Sequence, residues 1–209
     1  MSHMKILSVV TAVCVLSSSV YGQEADIASD AAKTQPLQVG VSVPDVALKD
    51  ADGKSVELAS LHAEHPVVLV FFRGSWCPFC TKHTQELIKS YPAIKELGAE
   101  LVAISPDSAK HSKDNVTKNS IPFPVLSDSE VAASKAFGLA FEVDAQTIEK
   151  YKGYGIDLEK SSGANHHALP VPAVFIVDQV GKIAFAHSDA DYRKRLDAKV
   201  ILDELKKLK

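Results

Sequence analysis

Residues 67–80 read VVLVFFRGSWCPFC. The run from Val67 to Phe72 is continuously apolar, β-branched and aromatic, the pattern of a strand buried on both faces. It leads straight into Trp76-Cys77-Pro78-Phe79-Cys80. Pro78 falls where the first turn of a helix tolerates proline, and the apolar Leu87, Ile88 and Ile94 continue a helical pattern that is expected to bend or break near Pro92. The two cysteines therefore stand at a helix N-terminus. Free N–H groups and the positive end of the helix dipole stabilise negative charge on Cys77, and Cys80, one turn on, is placed to resolve a mixed disulfide. Zinc sites share the CxxC spacing but normally need four ligands, and there is no second cysteine pair.

Upstream, VPDVALKDADGKSVEL (43–58) alternates about Asp52-Gly53 and reads as a β-hairpin. Leu101–Ile104 is a second buried strand, 108–118 a helix, 124–126 a short strand and 129–137 a helix closed by Gly138. Residues 173–177 and 182–186 form a strand pair about Gly181, and 192–208 an amphipathic closing helix. Strands alternate with helices, which implies an α/β domain with a mostly parallel sheet covered on both faces. The connection 139–169 is long for a compact domain, and its Phe141, Tyr151, Tyr154, Ile156 and Leu158 carry enough apolar surface to hold it against the domain. It is expected to form one wall of a substrate groove.

The N-terminus differs in kind. Lys5 precedes an apolar run from Ile6 to Leu16 and a small, polar stretch to Gly22, the order of a secretory signal peptide over 1–22. The run is short of the roughly 20 residues that span a bilayer, so no permanent membrane insertion is expected. Cys14 lies inside it, which leaves Cys77 and Cys80 in the exported chain. Residues 23–39 read as a flexible leader and 40–209 as one domain. A loop as small as CxxC gives a staple little entropic leverage, so the pair is expected to be reactive. The net charge of −3 is interspersed, which argues against nucleic acid as a partner.

The stretches VVLVFFRGSWCPFC, AISPDS, FPVLSDSEVAASKAFG and LPVPAVFIVDQVGKIAFAH, spread between Val43 and Leu205, resemble the peroxiredoxin-like branch of the alkyl hydroperoxide reductase/thiol-specific antioxidant (AhpC/TSA) family, within the thioredoxin superfamily. The resemblance implies a thioredoxin-like fold: a central mixed sheet flanked by helices, with an N-terminal hairpin and an insertion before the strand that follows a cis proline. It also implies thiol-based reduction of hydroperoxides. The family's PxxxTxxC motif is not restored in either register. With Cys80 at its cysteine, Arg73 and Cys77 take the proline and threonine places; with Cys77 there, Val70 and Gly74 do. The family's later arginine is replaced by Pro172. Val171-Pro172 instead resembles the thioredoxin cis proline, which exposes backbone to a substrate strand. The buried acid that thioredoxins carry six residues before the first cysteine is here Phe71.

The resemblance thus implies Cys77 and Cys80 as the catalytic pair, supported by Arg73, Trp76, Pro78, Val171 and Pro172. Arg73 is placed to stabilise a thiolate or polarise a peroxide oxygen, or else to face solvent at a strand end. Trp76 reads as a packing platform. Asp107, Asp128 and Asp178 read as turn or cap residues. His83, His166 and His167 read as ordinary histidines, so no metal is assigned, and no cofactor beyond the Cys77–Cys80 disulfide is expected. Three functions follow: an exported, periplasmic or secreted peroxidase; an envelope reductase of disulfides; or a Sco-like copper carrier, whose CxxxC spacing differs. Either redox function needs a thioredoxin-like or membrane-borne thiol reductant, because a dithiol outside the cytoplasm otherwise stays oxidised.

Overall fold

The computed structural model describes residues 26–208, so the signal segment expected over 1–22 lies outside the described residues. The first hairpin pairs β1 (Ala47–Lys49) with β2 (Ser55–Glu57), and Asp50 Oδ1 accepts the N–H groups of Asp52 and Lys54 in the turn. After the single turn α1 (Leu58–Leu61) comes β3 (Val67–Phe71), buried at every position, and then α2 (Pro78–Glu96). There follow β4 (Glu100–Ser105), α3 (Ala109–Asn119), β5 (Val125–Ser127) and α4 (Ala132–Ala136). The insertion holds β6 (Ala140–Glu142), α5 (Ala145–Gly153), α6 (Leu158–Ser162) and β7 (Ala168–Pro170). The chain closes with β8 (Ala173–Val177), β9 (Ile183–Ser188) and α7 (Ala198–Lys206).

Seven strands form one sheet in the order β2-β1-β5-β4-β3-β8-β9. β3 lies inside it, parallel to β4 and antiparallel to β8, which explains its unbroken apolar sequence. Only β3–β4 and β4–β5 are parallel, so the sheet is mixed and the mostly parallel expectation is corrected. Connection length accounts for two of the antiparallel pairs, because the short turns of β1–β2 and β8–β9 can join only antiparallel neighbours.

Alternation along β3 sends its side chains to opposite faces. Val68, Val70 and Phe72 pack with Cys77, Cys80, Leu87 and Ile94 of the α2 region and with Ile201 and Leu205 of α7. Val67, Leu69 and Phe71 pack with Phe137 and Phe175 on the other face. Phe71 thus points away from the dithiol and stacks on Phe137 at 4.9 Å between centroids.

Four local expectations are corrected. Of the bend or break expected near Pro92, the break does not occur: α2 runs through the proline, which is exposed, so that water can reach the helix there. Residues 26–39 do not form a loose leader: Ala28 bridges Phe141 and exchanges hydrogen bonds with Ala140 and Glu142, Leu37 N–H donates to the Phe137 carbonyl, and Leu37 joins the core. Gly138 is what lets this segment lie so close, since a Cβ there would stand 2.0 Å from the Gln35 carbonyl oxygen. The closing helix starts at Ala198, not at 192, because Asp189 and Asp191 accept backbone N–H groups two residues on and hold 189–193 in turns. Tyr154 is 68% exposed and contributes nothing to holding the insertion down.

Candidate active site

The end of β3 and the start of α2 build the site. Gly74 takes φ +146°, which turns the chain out of the strand, and its carbonyl accepts the Cys77 N–H at 3.1 Å. Asp107, just past β4, accepts the Ser75 N–H at 2.7 Å and so clamps the turn from the neighbouring strand. Its burial pushes the carboxyl above the usual carboxylate range. Cys77 is the N-cap of α2, Pro78 occupies the first helical turn, and both sulfurs are buried, Cys77 at 1% exposure and Cys80 at 2%. Both are free thiols in this structure.

The two thiols are driven in opposite directions. Cys77 is held down from 9.0 to about 6, first by the hydrogen bond from the Cys80 thiol, then by the Cys80 backbone N–H and the positive charges of Arg73 and Arg195, with burial opposing. Cys80 is pushed well above its ordinary value, chiefly by its own burial and then by its bond to, and the charge of, Cys77. Labelling the reduced protein with a small alkylating agent should therefore modify Cys77, with a rate that rises through a midpoint near pH 6; selective labelling of Cys80, or a midpoint near 9, would reverse the assignment. Stability follows with a definite sign. Because the folded value of Cys77 lies below the unfolded one, the reduced protein carries this stabilisation in full above pH 9.0 and loses it as the pH falls through about 6.

Arg73 is 3% exposed and does not face solvent. Its guanidinium lies 4.0 Å from the Tyr192 ring centroid, 5.3 Å from Trp76 and 5.6 Å from Tyr151, and donates to the Tyr151 hydroxyl. Trp76 packs between this cage and the insertion, whose Val143, Leu158 and Leu169 form a small core of their own. Phe79 stands edge-on to Tyr192 at 5.7 Å beside the dithiol.

The cis-proline expectation is corrected. No cis peptide bond occurs among the described residues, so Val171–Pro172 is trans, the ordinary state of an X–Pro bond. The backbone here is also engaged: the Val171 N–H donates to the Leu139 carbonyl at 2.9 Å and the Pro172 carbonyl accepts from the Asp189 N–H at 3.2 Å, with both residues buried. Leu139 and Asp189 thus occupy the Val171 N–H and the Pro172 carbonyl. Asp128 and Asp178 are turn and cap residues: Asp128 accepts from Ala133, Ser134 and the Ser134 hydroxyl, and Asp178 from Val180 and Lys182. His166 bonds the Ser129 carbonyl and the Ala168 N–H, and His167 the Glu159 carboxylate. Among the described residues no group of three or more His, Cys, Asp or Glu side chains gathers as a metal site would require.

Sequence reasoning missed Arg195. Its Nη2 lies 3.3 Å from Cys80 Sγ, and Nη1 is held by the carbonyls of Tyr192 and Lys194. Neither Tyr192 nor Arg195 carries a local signal, because each reaches the dithiol from an irregular segment more than a hundred residues away along the chain.

The sequence model of the AhpC/TSA family matches residues 39–186. The chain belongs to the AhpC/TSA family. Among its relatives it is 38% identical over 96 residues to the chloroplastic peroxiredoxin Q of Triticum aestivum, a stretch covering 46% of this chain and 44% of that protein. It is 27% identical over 129 residues to the thiol-disulfide oxidoreductase ResA of Bacillus thuringiensis subsp. konkukian, covering 58% and 73%. The chain spans about half the length of the peroxiredoxin Q relatives it matches. The thioredoxin-like peroxiredoxin fold is shared with peroxidoxin BcpB of Mycobacterium tuberculosis (TM-score 0.65, 21% identity, 83% of this chain and 99% of that one) and with peroxiredoxin Q of Xanthomonas campestris (TM-score 0.62, 22%, 82% and 96%). In this AhpC/TSA chain, Arg195 lies beyond the matched segment.

Proposed function

We propose that the chain is an exported, thiol-dependent redox enzyme that reduces hydroperoxides with Cys77 and closes a Cys77–Cys80 disulfide, which a thioredoxin-like or membrane-borne thiol reductant reopens. The observation that carries the hydroperoxide reading is enclosure. The low-pKa sulfur of Cys77 is almost wholly buried, and the Val171 N–H and the Pro172 carbonyl are already bonded. A small oxidant can reach such a sulfur with modest side-chain motion, whereas a protein disulfide needs a much wider opening of the site. In the reaction the Cys77 thiolate attacks the outer peroxide oxygen, the O–O bond breaks, the alcohol leaves with a proton, and Cys77 becomes a sulfenic acid. Cys80 then condenses with it, releasing water. The reduced protein should react with hydrogen peroxide or an alkyl hydroperoxide at least about tenfold faster than with a protein disulfide; the opposite order favours the second reading, an envelope thiol-disulfide reductase, which the ResA relatives support. Export is tested separately, by mass spectrometry of the native protein, which should begin near Gln23.

The insertion supports a role in substrate choice. A cavity of about 300 Å³ opens against Arg73, walled by Phe141, Val143, Thr147 and Tyr151 of the insertion and by Pro172 and Tyr192. Phe141→Ala, which widens it, should change the rate with a bulky alkyl hydroperoxide by about tenfold and leave hydrogen peroxide nearly untouched. Equal effects on both substrates would remove the gating role and leave the dithiol assignment standing.

A further inference from the structure

Two guanidinium groups act on the sulfur pair, the buried Arg73 and the partly buried Arg195, and only Arg73 belongs to the family-matched segment. Arg73 sits in the turn before Cys77. Arg195 comes from the segment before α7, and its Nη2 touches Cys80 Sγ at 3.3 Å while two backbone carbonyls fix its position. In the resting dithiol this contact has little to stabilise, because the negative charge is on Cys77 and burial keeps Cys80 protonated. The situation changes once Cys77 is covalently occupied. Its charge is gone, and Cys80 is the sulfur that must now become anionic, in a buried place where an unpaired charge is costly.

We propose that Arg195 is a catalytic residue of disulfide closure, receiving the negative charge of Cys80 as this thiol attacks Cys77. This rests on the reading of Cys77 as the attacking thiol. Cys80 gives up its proton; its thiolate forms a bond to Cys77 Sγ; the bond from Cys77 Sγ to oxygen, or to the sulfur of a mixed disulfide, breaks. The leaving hydroxide or thiolate takes up a proton to depart as water or thiol. The two cysteines are oxidised by two electrons and the oxidant, a hydroperoxide or a disulfide, has been reduced. The charged and titratable groups about Cys80 are Cys77 at the N-cap of α2, His83 on α2, Arg73 before it and Arg195 before α7, with Lys194 and His187 lining a small cavity beside Arg195. His83 shares that cavity and is pushed down to about 4, first by burial and then by Arg195, so it is neutral near neutral pH and does not compete for Cys80.

The test separates this role from the identity of the substrate. In Cys77→Ser protein starting at Gln23, which lacks Cys14, thiolate absorbance should report Cys80 alone, and adding Arg195→Gln should lower the thiolate population at a given mildly alkaline pH by about tenfold. Adding Arg195→Lys should restore most of it. With both cysteines present, Arg195→Gln should slow closure of the Cys77 mixed disulfide formed with a small aromatic disulfide by about tenfold and shift its pH profile upward, while alkylation of Cys77 changes by less than about threefold. An unmoved Cys80 titration in the Cys77→Ser background overturns the proposal even if the enzyme never reduces a peroxide. So does lost closure with an unshifted pH profile, which would mark Arg195 as merely structural. If Arg195→Gln fails to fold, the Arg195→Lys comparison decides: a titration and closure rate close to those of arginine uphold the charge role, and loss of both despite the retained charge refutes it.

Discussion

Hydroperoxide turnover by Cys77→Ser protein is expected to fall on the order of 10³-fold or more, to the rate of the uncatalysed background. A serine hydroxyl at the same N-cap accepts the same hydrogen bonds, but it does not ionise near neutral pH and cannot attack the O–O bond. Cys80→Ser should behave differently. The first oxidation persists, because the substituted hydroxyl still donates to the Cys77 sulfur, and the oxidised product accumulates as a sulfenic acid or as a mixed disulfide with added thiol. Cys80→Ala removes that donor, which is the largest influence holding Cys77 near 6, and so its Cys77 should ionise at higher pH than in Cys80→Ser. Counting thiols after one equivalent of peroxide, with the trapped site located by peptide mass, distinguishes the variants. Loss of the first oxidation in Cys80→Ser with its retention in Cys77→Ser would exchange the two roles and favour the register in which Cys80 takes the family's reactive position.

Much of this arrangement was legible in the chain because it is local. The strand at Val67–Phe71, the helix opened by Pro78 and the cysteines between them lie within one stretch whose hydrophobic pattern changes period once. The hairpin about Asp52-Gly53 was legible for the same reason, since its turn chemistry sits in the turn. What escaped reading is held by bonds without a sequence signature. Ala28 docks beside Phe141 through backbone groups, which any residue supplies, so a polar, alanine-rich segment looked loose. Arg195 and Tyr192 act through tertiary contacts from a segment whose amphipathic pattern suggested a helix. Pro172 misled in another way. Its position before a core strand matches thioredoxin, but the conformation of an X–Pro bond depends on surroundings that the tripeptide does not encode, and here Leu139 and Asp189 bond the backbone on either side.

Gly74→Ala is expected to destabilise the reduced protein by about 2–4 kcal/mol and to disturb the site as it does so. Two separate physical costs act at this residue. Its φ of +146° lies in a region that side-chain-bearing residues enter only at a cost of about 1–3 kcal/mol. An added Cβ would also stand 2.3 Å from Trp76 Nε1 and 2.9 Å from Cδ1 and Cε2, closer than any real contact, so the indole has to move. That ring cannot yield cheaply, because it is packed against Tyr151 at 5.5 Å, against the Arg73 guanidinium and against the insertion's small core. Moving it loosens the cage about Arg73 and the turn whose Gly74 carbonyl holds the Cys77 N–H. Trp76 is the one tryptophan in the chain, so its fluorescence reads the displacement without interference. Gly74→Ala should shift the emission maximum, lower the unfolding midpoint and move the alkylation profile of Cys77 to higher pH. An unchanged emission maximum together with an unchanged unfolding midpoint would mean that the indole is not braced as these contacts require.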